Sequence, residues 1–381
     1  MILRLVVIAA LSIASCATMP RAEAPLEERL SAAQSAMLTD FPQAPVSPAL
    51  PTRALSKILV ATCMNEEWSR DQEILALMTA QKADLAILAG DNVYGSMTSN
   101  DPLLSDLRAA YWAQSERREF KGLVSSTPTL AIWDDHDFGK NDAGADNQAR
   151  MLAQAMFDRF WRVGKGHPQA HPNGVYGSWM IGPVGQRTQI IMLDTRFWRD
   201  ALVPTDERGA PGKERYIPDP DPAKTILGAA QWSWLEGELK KPAELRLVVS
   251  SIQVVADGHG WEKWGNFPAE QKRLFDLIRA TNAKGVVFIS GDRHISGIYR
   301  EPAETVGYPL YDFTASSVNM PWGAGGSEQP GTRRLGDAYY LENYGMVEID
   351  WAARAIKLSI RDKQDVEVRA RRISFEEIGV R

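Results

Sequence analysis

Six short apolar runs, each closing on residues able to bind a cation or an anion, constrain this 381-residue chain more than any other feature. ILVATC (58–63) ends at Cys63, ADLAILAGD (83–91) at Asp91, and TPTLAIWDDHD (127–137) at Asp134, Asp135, His136 and Asp137. QIIMLDTR (189–196) closes on Asp194 and Arg196, and GVVFISGDRH (285–294) on Asp292 and His294. LRLVVSS (245–251) closes on Ser250 and Ser251, with Gln253 just beyond. Such runs, too short for independent helices, read as strands buried on both faces. Helical stretches separate several of them, at 72–81, 103–116, 147–162, 229–239 and 269–280. Downstream, YPLYDFTAS, YGMVEID, AIKLSIRD and VEVRARR read as mostly antiparallel strands. The pattern predicts an α/β fold whose sheets are covered by helices. In such folds ligands bind beyond the carboxyl ends of strands. A single Asp after a strand is commonly a turn residue or helix cap. Several polar endings that can converge on one sheet edge are a candidate site.

The residue types in those endings suit metal ions. Asp91, Asp135 and Asp292 offer hard oxygen, His294 offers nitrogen, and Cys63 offers a thiolate. Uncompensated carboxylates inside a protein are costly, and cations remove that cost. Two metals sharing a carboxylate are suited to in-line displacement at phosphorus. The net charge of -5 leaves no basic footprint, which disfavours nucleic acid as the main partner. The twelve Trp read as core and rim packing. The Pro/Gly-rich stretches 204–224 and 319–332 read as long surface loops. His167, His171 and His259 read as surface or loop residues, with His259 in a segment, DGHGWEKWGNF, that rims a pocket. Arg162, Arg199 and the Glu116-Arg117-Arg118 run read as solvated charges.

The N-terminus has the form of an export signal. Arg4 precedes the apolar run Leu5 to Leu11, which is far shorter than the ~20 residues a membrane-spanning helix needs. Ile13-Ala14-Ser15-Cys16 resembles a bacterial lipobox, in which the Cys becomes the first mature residue and carries a lipid. The expected division is a lipoprotein signal peptide over 1–15, a Pro/Ala-rich membrane tether over 16–56, and one catalytic domain over 57–375. The expected location is periplasm-facing and membrane-anchored, with the outer membrane as one option because Ala17 is not Asp. A plain signal peptide cleaved near Ala17 is the competing expectation. Cys16 and Cys63 are the only cysteines, so lipidation of Cys16 leaves Cys63 without a disulfide partner. In an oxidising compartment a lone thiol is either buried and inert or bound to a metal.

LAGDNVY, IWDDHDFGKN, MLDTRFW and ISGDRH, in this order, resemble the PhoD-type alkaline phosphatases, a branch of the calcineurin-like metallophosphoesterases. VATC and LGAAQWSWL (227–235) are similar to further segments of that family, and the likeness runs from about residue 57 to about residue 300. The resemblance implies two mixed β-sheets packed face to face with helices on both outer sides. It implies a first metal, Fe(III), on Cys63, Asp91, Tyr94 and His294, similar to the iron site of purple acid phosphatases. It implies a second, calcium, sharing Asp91 and taking Asp135 and Asp292, with Zn, Mn or Mg as alternatives. Gln253 is the expected further ligand. His136 is expected to face the substrate and protonate the leaving oxygen. Arg196 is expected to brace the phosphate with its forked donors, and Asn141 to lie near it. Asp134 and Asp137 are expected to orient His136 and the loop. Arg293 departs from the small or apolar residue expected inside the final motif.

The implied reaction is hydrolysis of a phosphate ester by water acidified at a dinuclear site, without a phosphoenzyme. The partners expected are a phosphate mono- or diester, the membrane through Cys16, and no nucleic-acid-binding domain, in a monomer. A diesterase or phospholipase D-like activity at the same site is the first alternative, decided by pocket width. A lipoprotein that binds phosphate or metal without turnover is the second. A structural lipoprotein whose Asp clusters are only turns is the third.

Overall fold

A computed structural model describes residues 25–67, 69–95 and 100–381. The chain runs β1 (Lys57–Ala61), β2 (Leu85–Ala89), β3 (Thr129–Ile132), β4 (Gly177–Ile181), β5 (Thr188–Leu193), β6 (Val203–Pro204) and β7 (Tyr216–Ile217). It continues through β8 (Leu245–Ser250), β9 (Val286–Ser290), β10 (Gly297–Glu301), β11 (Leu310–Thr314), β12 (Asn343–Asp350), β13 (Ala355–Asp362) and β14 (Glu367–Ser374). The helices are α1 (Ala32–Met37), α2 (Glu73–Ala80), α3 (Ser105–Glu116), α4 (Arg118–Ser126), α5 (Arg150–Phe160), α6 (Gly228–Leu239) and α7 (Pro268–Ala280).

Twelve of the strands form two six-stranded mixed sheets, in the orders β14-β13-β12-β1-β2-β3 and β10-β11-β9-β8-β5-β4. In the first, β1, β2 and β3 are parallel, and β12 joins β1 antiparallel to begin a meander. In the second, β5, β8, β9 and β11 are parallel, flanked by antiparallel β4 and β10. The sheets meet closely enough that a Cβ on Gly345 of β12 would lie 2.8 Å from the Phe313 ring of β11. On the outer sides, α2 packs with α4 against the first sheet. Gln189 of β5 donates to the Glu238 carbonyl of α6 at 3.1 Å, and Trp232 of α6 donates to Glu270 of α7 at 2.8 Å. Both faces of the central strands are therefore covered, which is why β2 is apolar throughout and β9 is apolar up to its last residue, Ser290.

Three sequence expectations need correction. Residues 25–56 are not a free tether. Leu38, Phe41, Ala44 and Leu55 are buried, Phe41 packs edge-on against Tyr111 at 5.6 Å, and the Ala44 amide bonds the Phe160 carbonyl at 2.9 Å. Arg117 is not solvated, because it turns inward between α3 and α4 and donates to the carbonyls of Glu67 and Arg70 at 3.2 and 2.7 Å. Arg199 is also buried, paired with Glu262 at 2.9 Å. Arg162 stays exposed as expected, its guanidinium holding the Ala44 carbonyl. The export signal and Cys16 lie outside the described residues. No helix among the described residues is long and apolar enough to cross a membrane.

Candidate metal centre

The carboxyl ends of β1, β2, β3 and β9 bring the polar endings together. Backbone geometry is part of the construction. Cys63, Asp91, Asp292 and His294 all have left-handed φ, at 55°, 51°, 64° and 56°. Non-glycine residues adopt that region at a cost, and such residues concentrate at functional sites. Before Asp91, Gly90 has a φ of 111°, and a Cβ there would sit 2.7 Å from the Asp134 side chain. Glycine is what lets β2 and β3 end this close together.

Three groups of donor atoms result. Ligand atoms of Cys63, Asp91 and His294 lie within 4.8 Å of one another, as do those of Asp91, Asp135 and His136, and those of Asp134, Asp135 and Asp292. Asp91 belongs to the first two groups and Asp135 to the last two. Tyr94 adds its hydroxyl to the first, donating to Asp91 Oδ2 at 3.1 Å and lying 2.9 Å from His294 Nε2. Its ring stacks on His136 with centroids 4.2 Å apart. Ser316, just beyond β11, ties the group together, its Oγ 3.0 Å from Cys63 Sγ and accepting from the His294 amide at 2.9 Å.

Electrostatics show what this cluster lacks. Burial pushes the Cys63 thiol up to about 12. Burial, then the neighbouring Asp135 and Cys63, holds the Asp91 carboxyl well above its usual range. Burial with Asp134 and Asp135 does the same to Asp292. Burial and the nearby His136 and Arg293 bring His294 down to about 3. Asp135 goes the other way. Burial opposes its ionisation, but His136 and Arg196 outweigh that and lower it. Asp134 Oδ2, Asp135 Oδ1 and His136 Nδ1 are buried without a hydrogen-bond partner. Crowded carboxylates, a raised thiol, a neutral imidazole and orphaned acceptors together form a donor set that a cation would complete. The residues present fit metal ions.

The supports are a mixture of expected and unexpected groups. Asp137 is tied to the β2 ending, accepting from the Asn92 amide and side chain at 3.1 and 2.6 Å. Arg196 does not reach toward a phosphate. It has no exposed surface, and its guanidinium lies 2.5 Å from Asp134 and 2.7 Å from Glu262. Buried carboxylates on either side take its donors. Gln253 is likewise committed elsewhere, bonded to Thr314 and to His259 at 2.9 and 2.8 Å. His259 is therefore buried rather than at the surface, while its segment does rim the cleft through Trp261 and Glu262. Asn141 lines the cleft with Asp91, Asp135, His136, Asp292 and His294. His136, expected only beside the substrate, also lies within reach of the donors of Asp91 and Asp135.

Sequence reasoning missed Glu262, Asp142, Arg215 and Ser316. Glu262 neutralises Arg196 and Arg199, and Asp142 donates its amide to Asp135 at 2.6 Å while pairing with Arg215 at 2.8 Å. These residues sit in loops and beyond a late strand, and no local pattern marks them.

The chain is similar to known proteins in sequence and in fold. The family model described as PhoD-like phosphatase matches residues 58–358. Alkaline phosphatase D of Bacillus subtilis (strain 168) is 24% identical over 58% of this chain, and the match spans only 42% of that protein. A solved structure titled "Structure of PhoD" superposes with a TM-score of 0.63 at 17% identity, covering 86% of this chain and 73% of that one.

Proposed function

The chain belongs to the PhoD-like phosphatase family, and on that premise we propose that it hydrolyses phosphate esters at a dinuclear metal site. The observation that carries the proposal is the sharing of Asp91 and Asp135 between adjacent donor groups at the end of one cleft. Cys63, Asp91, Tyr94 and His294 would hold the first metal, with thiolate and phenolate donors that suit ferric iron. Asp91, Asp135 and Asp292 would hold the second, an oxygen-only set that suits calcium. When bound, the metals supply charge neutralisation at the phosphate oxygens and acidify water.

The chain's own residues do the rest. His136, fixed by stacking on Tyr94, holds the proton that the leaving oxygen requires. Asn141 offers an amide donor to the phosphate from the cleft wall. Arg196 and Asp137 fix the Asp134–Asp137 segment from behind, so that Asp135 and His136 keep their directions. We also propose export and anchoring through a lipid on Cys16, which Cys16→Ser and radiolabelled palmitate would test, unlabelled wild type being the result against it.

The deciding experiment is elemental analysis of protein purified without added metal, together with its visible spectrum and turnover of an aryl phosphate. Iron near one per chain with a charge-transfer band, calcium and turnover would support the proposal. Colourless protein with two zinc or manganese ions would keep the hydrolase and remove the iron–calcium assignment. Protein that takes up no metal and shows no turnover would sink it.

A further inference from the structure

One wall of the cleft carries cations that the hydrolytic chemistry does not use. Arg215, Trp261, Arg293 and Trp322 line it. The Arg293 guanidinium lies 5.1 Å from the Trp261 ring centre and 5.4 Å from that of Trp322, and Arg215 lies 4.6 Å from Trp261. The two indoles meet edge to face at 5.6 Å. With guanidinium groups against both, the indoles act here as supports that hold the arginines in place.

The arginines keep unused donors. Arg293 is 4% exposed, gives one nitrogen to Glu328 at 2.6 Å, and has a buried Nε without a partner. Glu328 is shared with Arg334 at 3.7 Å, so two cations face one carboxylate. Arg215 gives Nη1 to Asp142 at 2.8 Å, and Asp142 also accepts from Tyr216 at 2.7 Å. The third cleft carboxylate on this side, Glu262, is already neutralised by Arg196 and Arg199. The wall therefore carries surplus positive charge with fork-shaped donors, the geometry that matches a carboxylate or phosphate.

The wall is also held rigid. The amides of Arg215 and Tyr216 both donate to the Gly260 carbonyl, at 3.0 and 2.7 Å, and the Trp322 amide donates to the His294 carbonyl at 3.1 Å. Asp257 accepts from the Thr332 amide at 2.9 Å. Loops from three parts of the chain thus form one preorganised surface beside the donor cluster, which lowers the cost of ordering it on binding.

We propose that Arg215 and Arg293 form a second anion subsite, which selects phosphate esters whose leaving portion itself carries a carboxylate or a further phosphate. The subsite rests on the phosphoesterase reading above for its link to a leaving group. The test uses metal-loaded full-length protein and two non-hydrolysable ligands, 4-carboxybenzylphosphonate and 4-carbamoylbenzylphosphonate, which share shape and differ in one negative charge. Calorimetry should show the carboxylate binding about tenfold more tightly, the scale of one charged hydrogen bond. Arg293→Gln and Arg215→Gln should each bring that ratio toward one. Arg215 is a third exposed, so its variant is the one to rely on should Arg293→Gln fail to fold. Equal affinity of the wild type for the two ligands, or a ratio unmoved in Arg215→Gln, would overturn the subsite. Turnover of the corresponding aryl phosphates is read in parallel. A retained binding preference without any turnover would remove the hydrolase and keep the subsite.

Discussion

Asp91 and Asp194 close corresponding parallel strands, β2 in one sheet and β5 in the other, yet they live in opposite circumstances. Asp194 is surrounded by donors. Its Oδ1 accepts from Trp133 Nε1 and from the amides of Arg196 and Phe197, all at 2.9 Å, and its Oδ2 from the Val175 amide at 3.0 Å. Among the described residues the Asp91 carboxylate accepts from the Tyr94 hydroxyl and, at 3.3 Å, from the His136 amide, and its other neighbours include the carboxylate of Asp135 and the thiol of Cys63. Burial raises both carboxyls, but donors restrain Asp194 whereas further acids push Asp91 higher. A buried acid that the protein has satisfied is architecture. A buried acid left among other acids is a place for a cation.

The sharpest way to break this contrast is to neutralise both positions. Asp91→Asn should lose metal and cut turnover by about a thousandfold or more, the several kcal/mol that a metal supplies. Its metal-free form should be no less stable than wild type in urea, since a repulsive buried charge has gone. Asp194→Asn should retain metal and lose about 1–3 kcal/mol of stability, because the Val175 amide loses its acceptor. Equal destabilisation of the two metal-free variants would show that Asp91 is a turn residue too.

His136→Ala comes next. Turnover should fall by about 10²- to 10⁴-fold with metal content unchanged, if its work is proton transfer. Loss of one metal per chain would instead make it the third member of the group with Asp91 and Asp135. Arg196→Met should destabilise the fold by about 3–5 kcal/mol in a denaturant titration, since it strands Asp134 as a buried charge and leaves Glu262 to Arg199 alone. A mild effect on stability with a large rise in KM would restore Arg196 as a phosphate ligand.

The smallest expected effect is at a third acid, Asp84, at the opposite end of the first sheet. Burial disfavours its charge, but Arg53 and the amides of Ser56 and Lys57 prevail and lower it to about 2. A carboxyl lowered on folding stabilises above its unfolded pKa, near ~4, and that contribution is lost as pH falls toward the folded value. Asp84→Asn should therefore flatten the acid limb of the stability profile between those two values, and leave turnover at neutral pH alone. An acid limb identical to wild type would dissociate Asp84 from acid unfolding.

Much of this was legible in the sequence, for a local reason. A strand buried on both faces must be apolar along its length, so ILVA, LAILA and VVFIS mark themselves, and the residues after them are where ligands gather. The short strands β4 and β10 and the charged helix α4 carry weaker signals, because part of each is exposed and reads as loop or solvated surface. The candidate donors Cys63, Asp91, Tyr94, Asp135, Asp292 and His294 were expected from strand endings and a family resemblance, and the fold draws their side chains into one cluster. Arg196 was misdirected because a sequence does not show which way a side chain points from the bend that follows a strand. Its partner Glu262 is 66 residues away, in a loop.

The sequence by itself determined the strand–helix succession, the order of the polar endings and the family, because each depends on neighbours close along the chain. Only the tertiary structure decided which acids are satisfied and which are left for a cation. It also decided that Arg196 turns inward while Arg215 and Arg293 face the cleft. Those outcomes depend on donors brought from the other sheet and from distant loops, and on a buried charge being tolerable only where such partners, or a metal, meet it.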